Sequence, residues 1–159
     1  MPIDDRTSLI AEFLLYFGTM IRGMNAILGK ELEAYGVTWP QFHLLKVVKY
    51  SARVTVTELS TSLLVAPPTA SRMIDGLCSK GLLVKEKDAM DHRVAVVKLT
   101  PQSGVLLERL LELQNDVMTA VFAEEETPEL ERNVKSLGRV ASKLYATAEK
   151  KARKGVTDE

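Results

Sequence analysis

The sequence has 159 residues, 46% of them hydrophobic and 26% charged, with 21 Lys/Arg balancing 21 Asp/Glu and a single cysteine. This is the make-up of one globular domain, or of one domain plus an extension, with enough apolar residues to bury a core. It excludes a uniformly polycationic nucleic-acid binder, a disulfide scaffold and a helical membrane span, since the most apolar run, residues 9–28, is interrupted by Glu12 and Arg22.

The N-terminus carries no basic leader followed by an apolar run, so a cytoplasmic protein is expected. Residues 1–6 are expected to fray. From Thr7 to Tyr35, Leu9, Phe13, Tyr16, Met20, Met24 and Ile27 recur every three or four residues, with Phe17, Ile21 and Leu28 widening the stripe. That period predicts an amphipathic helix ending at Gly36. Thr38 followed three residues later by Gln41 reads as a capping box opening a second helix, to about Ser51, that carries Phe42, Leu44, Leu45, Val47 and Val48. Residues 54–56 read as a short extended piece able to pair with a later hairpin.

Residues 54–100 organise the chain. Thr57 is expected to cap a short helix with Glu58 in its first turn and Leu59, Leu63 and Leu64 as its apolar stripe. After a turn at 64–66, Pro67 or Pro68 opens a further helix. Met73, Ile74 and Leu77 form its buried side, Thr69, Ser71, Arg72 and Asp75 lie on other faces, and Gly81 ends it. Residues 82–87 and 94–99 read as strands, and the polar tip 88–93 between them is expected to project into solvent. Helix, turn, helix and basic-tipped hairpin make a winged helix-turn-helix whose second helix fits a DNA major groove. Charge follows this division: residues 1–39 carry −2, residues 40–100 carry +4 and residues 101–159 carry −2. Phosphate attraction depends on the local field rather than the total.

Thr100-Pro101 opens a long helix to about Ala123 with a seam of Leu106, Leu110, Leu113, Val117 and Val121. An acidic break at 124–126 follows. Thr127-Pro128 starts a last helix with Leu130, Val134, Leu137, Ala141, Leu144 and Ala148 at near-heptad spacing. The polar tail from Lys150, and residues 153–159 above all, is expected to be disordered. A winged helix alone cannot cover such long apolar stripes, so the terminal helices are expected to pack with those of a second copy; a monomeric helical bundle is the competing reading. The expected fold is therefore mainly α with a small β-wing: a winged helix-turn-helix lobe (37–100) plus long N- and C-terminal dimerisation helices (1–36 and 101–152).

The stretch TVTELSTSLLVAPPTASRMIDGL, the approach KGLLVKEKD, the tip Asp91-His92-Arg93 and the exit VVKLTPQSG resemble the DNA-binding lobe of the multiple antibiotic resistance regulator (MarR) family, and the resemblance extends more loosely from about Thr7 to about Lys150. The family's wing commonly has Asp-Arg-Arg where this chain has His92 in the middle, and the run Thr100–Gly104 is one residue longer than usual. The resemblance implies a homodimeric DNA-binding transcriptional regulator, more often a repressor than an activator, on a pseudo-palindromic operator. It further implies release by a small phenolic or lipophilic effector held between the dimer helices and the DNA lobe.

Candidate DNA-binding residues are Pro68, Thr69, Ser71 and Arg72 on the recognition helix and Asp91, His92 and Arg93 at the wing tip. Arg93 can enter a minor groove, with Asp91 holding its guanidinium, or it is a solvated turn residue. His92 contacts phosphate or is simply exposed. Arg72 can read a guanine edge or pair with Asp75, Pro68 can touch a thymine methyl or only shape the helix start, and backbone N–H groups and hydroxyls there suit phosphate. Lys80, Lys85, Lys87 and Lys98 face phosphate or water. Candidate effector-pocket residues are Trp39, Phe42 and His43 on the second helix, with Tyr16, Met20 and Arg22 on the first as an opposing wall and counter-charge; the competing reading is core for Trp39 and Phe42 and a surface or interface histidine for His43. Cys78 reads as an ordinary thiol, and two histidines with one cysteine are too few and scattered for a metal site. No phosphate loop, metalloprotease motif or nucleophile elbow is present, so neither an enzyme nor a cofactor is expected. The alternatives to operator recognition are a winged-helix protein-interaction module and a small-molecule carrier.

Overall fold

Eight elements follow one another in the computed structural model, which describes residues 5–155: α1 (Asp5–Ala34), α2 (Trp39–Tyr50), α3 (Val56–Ser62), α4 (Pro67–Ser79), β1 (Leu83–Lys87), β2 (Ala95–Leu99), α5 (Pro101–Val121) and α6 (Thr127–Gly155). The chain divides into two units between His43 and Leu44. Among the described residues, no helix is long and apolar enough to cross a membrane.

The first unit is α1 and the opening of α2. Asp5 and Arg6 are helical where fraying was expected, and Asp5 places a carboxylate at the positive end of the helix dipole. Residues 1–4 lie outside the described residues. α1 stops where Gly36 adopts φ +60°. The Gly36 N–H donates to Glu33 O at 2.8 Å and the Val37 N–H to Leu32 O at 2.8 Å, and Leu32 and Val37 are both buried. This doubly bonded helix end with its apolar clasp needs a residue that accepts a left-handed backbone. Thr38 and Gln41 then form the expected reciprocal cap, Thr38 N–H to Gln41 Oε1 at 3.0 Å and Gln41 N–H to Thr38 Oγ1 at 3.4 Å.

The second unit begins in mid-α2. The α3–α4 pair and a two-stranded antiparallel sheet make up its lobe, with Leu83 opposite Leu99 and Lys87 opposite Ala95. The extended piece pairs with the wing as expected: Thr55 bridges Val96, and the Val97 N–H donates to Val54 O at 2.9 Å. Leu44, Leu45, Leu59, Ala70, Ile74, Leu77, Leu83, Leu107 and Leu110 are buried. Leu82 and Val94 fall outside the strands expected to include them. Leu82 is taken by the α4 terminus, its N–H donating to Leu77 O behind left-handed Gly81, and Val94 by the wing turn, its N–H donating to Asp91 O.

Thr100 fastens the exit. Its Oγ1 accepts from the Ser103 N–H at 3.2 Å and donates to Gly81 O at 2.7 Å, tying the start of α5 to the end of α4. Leu106 and Leu110 of the α5 seam are buried, Leu113 and Val117 are half-buried and Val121 is exposed. α6 shows Val134, Leu137, Leu144 and Tyr145 to solvent, although the Tyr145 hydroxyl donates to Thr61 O at 3.1 Å. α6 runs through Gly155, so residues 150–155 are helical rather than disordered. Lysine, alanine and arginine there are strong helix formers, and cations suit a helix C-terminus. Residues 156–159 of the expected tail lie outside the described residues.

The cap of α3 is Thr55, not Thr57. The Thr55 Oγ1 accepts from the Glu58 N–H at 3.2 Å, and the Thr55 N–H donates to Glu58 Oε2 at 2.7 Å. Thr57 lies two residues further on, already inside α3, where it cannot serve the first N–H groups. These bonds from Thr55 hold the Glu58 carboxyl below its ordinary pKa. A depressed carboxylate contributes its stability above the unfolded-state pKa and loses it as pH falls. Thr55→Ala should therefore cost about 1 kcal/mol at neutral pH and less in acid, while Thr57→Ala stays within about 0.5 kcal/mol of wild type, measured by urea unfolding.

Candidate nucleic-acid interface

The turn from α3 to α4 is built on Leu64, which has φ +53° and stands where glycine is usual. The Leu64 N–H donates to Thr61 O and the Val65 N–H to Ser60 O, closing α3 tightly before the chain reverses. Pro67 then opens α4, whose cap residue Ala66 offers no side-chain bond. Thirteen residues give a helix roughly 20 Å long. Ala70, Ile74 and Leu77 are fully buried, whereas Met73, expected among them, is half-buried.

Pro68 and Arg72 are exposed on the outer face, with Thr69 and Ser71 half-buried beside them. The backbone donors expected at this helix start are absent. Pro67 and Pro68 have no N–H, and those of Thr69 and Ala70 both donate to Ala66 O. Polar contact from this end must come from side chains. Arg72 does not pair with Asp75; its Nε donates to Pro68 O at 3.4 Å. Asp75 is taken by Lys85 of β1 at 2.5 Å, which lowers its pKa, and accepts from Ser71 Oγ at 3.4 Å.

The wing tip departs from a uniformly solvated loop. Met90 is 95% exposed, and Asp91, His92 and Arg93 are exposed with it, but Asp88 is buried. Its carboxylate accepts from Arg53 Nε at 2.5 Å and from the N–H groups of Met90 and Asp91 at 2.9 and 3.0 Å. The Arg53 guanidinium, ahead of the two backbone donors, pulls its pKa down to about 2. Asp91 accepts from the Arg93 backbone N–H at 3.0 Å rather than from the guanidinium, a turn-closing bond typical of aspartate. Lys98 pairs with Glu86 at 2.7 Å and Lys49 with Glu108 at 3.7 Å. Among the described residues, Arg72, Lys87 and Arg93 enter no ion pair. Neither Arg53 nor Asp88 was singled out by sequence reasoning. An aspartate opening a polar tip is a turn signal, but its partner lies 35 residues earlier.

The six pocket candidates all lie in the first unit. Trp39 meets Phe42 edge-on with ring centroids 5.7 Å apart, and the indole Nε1 is enclosed with no hydrogen-bond partner. Phe42 is buried and His43 exposed. On α1, Tyr16 is bonded to Glu12 at 2.8 Å, and Arg22 donates to Thr19 Oγ1 at 2.9 Å. Tyr16 lies roughly 24 Å along α1 from Leu32, against which the turn leading to Trp39 is bonded, so within one copy Tyr16 and Trp39 are not neighbours.

The model of the MarR family matches residues 37–95, the span from the turn before α2 to the first residue of β2. The HTH-type transcriptional regulator MgrA of Staphylococcus aureus is 27% identical over 122 residues, 76% of this chain and 81% of that protein. Among solved structures, a MarR protein from Peptoclostridium difficile aligns with TM-score 0.76 at 23% identity, over 87% of this chain and 90% of its own. Wild-type apo MarR from E. coli aligns with TM-score 0.62 at 24% identity, over 79% and 93%. At these identities the structural likenesses establish the fold: six helices and a two-stranded wing, with long terminal helices.

Cys78 is half-buried near the end of α4, and burial pushes its thiol above the ordinary range. A raised thiol pKa leaves little thiolate at neutral pH. Alkylation of Cys78 by iodoacetamide at pH 7 should run slower than that of free cysteine, with the rate followed by mass spectrometry.

Proposed function

Because the chain belongs to the MarR family of winged helix-turn-helix transcriptional regulators, and is a regulator rather than an enzyme, we propose that it binds a pseudo-palindromic DNA operator as a homodimer, represses from it, and is released by a small phenolic or lipophilic effector. The observation that carries the DNA reading is the sorting of cations. Arg53, Lys85 and Lys98 are each held by a carboxylate within 2.7 Å, while Arg72 on α4 and Arg93 on the wing are exposed and in no ion pair among the described residues. An unneutralised arginine on each of two projecting elements suits a duplex, with Arg72 against a guanine edge in the major groove and Arg93 in the flanking minor groove. Thr69 and Ser71 supply hydroxyls to phosphate in place of the missing backbone donors. His92 adds a phosphate contact, Pro68 packs on a thymine methyl, and Asp91 fixes the turn that presents Arg93.

The dimer reading rests on apolar surface. Leu9, Phe13, Leu14, Phe17 and Met20 of α1, and Val134, Leu137 and Leu144 of α6, are each at least 40% exposed. Stripes of this kind on otherwise ordinary helices mark an interface. A two-fold pair also presents two recognition helices to successive major-groove faces. The effector reading rests on the enclosed, unpartnered Trp39 indole N–H, a donor that a phenolic oxygen would satisfy. Phe42 and His43 flank it on α2. Tyr16, Met20 and Arg22 join this pocket from the second copy. An effector that prefers one separation of the two DNA lobes shifts the population away from the spacing that fits the operator.

Selection from a random duplex pool should enrich an inverted repeat with half-sites about 10 bp apart centre to centre. Arg93→Ala should weaken binding to it about tenfold or more in anisotropy titrations, with affinity falling steeply as salt rises. Absence of an enriched site, together with salt-insensitive capture of a protein partner, would instead support the protein-interaction alternative. Sedimentation equilibrium should give a species of twice the 17.6 kDa chain mass, and Leu137→Glu should shift it toward the single chain. A monomeric wild type would defeat the dimer reading.

A further inference from the structure

Residues 84–95 make up the whole distal wing, and Asp88 alone among them is buried. β1 gives its first residue, Leu83, to the core and exposes the other four. A groove of about 450 Å³ is bordered by Val48, Ser51, Arg53, Asp88 and Lys98, and apart from Asp88 only Val94 of residues 84–95 is even half-buried, so the tip has little packing of its own. A hairpin end without apolar support would sample many poses. What holds this one is polar. The Asp88 carboxylate grips Arg53 from the α2–α3 turn with one oxygen and the Met90 and Asp91 N–H groups with the other. A carboxylate this enclosed stays ionised only with such partners, and here it has three. The next link is Asp91, whose carboxylate takes the Arg93 N–H. Arg53, Asp88, Asp91 and Arg93 thus form a chain of bonds from the body of the lobe to the wing arginine.

We propose that Arg53 and Asp88 are positioning residues for DNA recognition: the pair clamps the wing tip to the α2–α3 turn and so preorganises Arg93 for the groove. This rests on the reading that Arg93 contacts DNA. The pair itself touches no base. Its contribution is to remove the cost of ordering the tip when the duplex arrives.

The sign of the Asp88→Ala effect separates this from simple electrostatics. Removing a negative charge beside DNA should tighten binding, whereas unclamping the tip should weaken it. With the full chain and the duplex recovered by selection, Asp88→Ala and Arg53→Gln should each weaken binding about tenfold, and Arg53→Lys, which keeps a charged donor, should recover much of the loss. In the Arg93→Ala background the Asp88→Ala loss should shrink to less than about twofold, since the two act as one unit. In free protein, amide exchange at Met90 and Asp91 should quicken about tenfold or more in Asp88→Ala, with the thermal midpoint recorded to confirm a folded lobe. Unchanged or tighter binding by Asp88→Ala, or an equal loss in both backgrounds, overturns the proposal. So does a loss confined to Arg53→Gln with a salt slope lower by about one, which would make Arg53 a phosphate contact. If Arg93→Ala itself binds as wild type, the underlying DNA reading fails first.

Discussion

A recognition helix can offer one face to a partner only if its opposite face is held in place, and here Ala70, Ile74 and Leu77 do the holding. All three are fully buried, and burying Ile74 and Leu77 contributes roughly 1.5–3 kcal/mol each. Both ends of α4 are fastened as well. At its entrance the chain turns through Leu64, whose left-handed backbone costs about 1–2 kcal/mol relative to the right-handed region. That strain is tolerated because the closing bonds to Ser60 and Thr61 are satisfied and the helices on either side are anchored. At its exit, left-handed Gly81 and the Thr100 hydroxyl hold the helix end against the start of α5. The outward direction of Pro68 and Arg72 follows from these constraints rather than from any bond those side chains make.

The charges obey a second rule. Ionised groups that lose water must gain partners, and those that keep water need none. Asp88 illustrates the first case. Arg93 and Arg72 illustrate the second, and it is their solvation that leaves their charge available to a polyanion. Composition conceals this, because a chain of zero net charge can still concentrate positive potential where carboxylates are already engaged elsewhere. The lobe's excess of +4 counts Lys85 and Lys98 equally with Arg93, yet their fields are partly cancelled by Asp75 and Glu86.

Most of the fold was legible because it depends on local signals. Period, caps, prolines and the glycines at 36 and 81 placed six helices and two strands to within a few residues. The errors also have local causes. Thr57 looked like a cap because a threonine preceded a glutamate, but Thr55 has that glutamate three residues on, where a reciprocal bond closes. Lys150 looked like the end of α6 because polar residues looked disordered, although lysine, alanine and arginine favour a helix. The site was less legible because its constraints are distant in sequence. Asp88 read as a tip residue, and nothing near it in the chain announces Arg53. A pair between Asp75 and Arg72, three residues away, stayed open as an alternative until β1 brought Lys85 to Asp75. The proline pair was read as a helix opener, which it is, but its removal of the backbone donors follows only when the remaining N–H groups are counted.

The terminal helices leave apolar surface that one chain does not cover. α1 carries an exposed apolar stripe from Leu9 to Ile27, and the exposed side of α6 repeats Val134, Leu137 and Leu144 at helical spacing. In the proposed dimer, covering these stripes with a second copy and completing a pocket around Trp39 are one geometric problem, because Tyr16 lies several turns along α1 from the helix end that leads to Trp39. A ligand seated between groups from two copies has differential affinity for their separations, and by linkage whatever fixes the separation changes the ligand's affinity in turn. DNA spacing and effector binding would then be coupled through the same helices, with no dedicated pathway between the two sites.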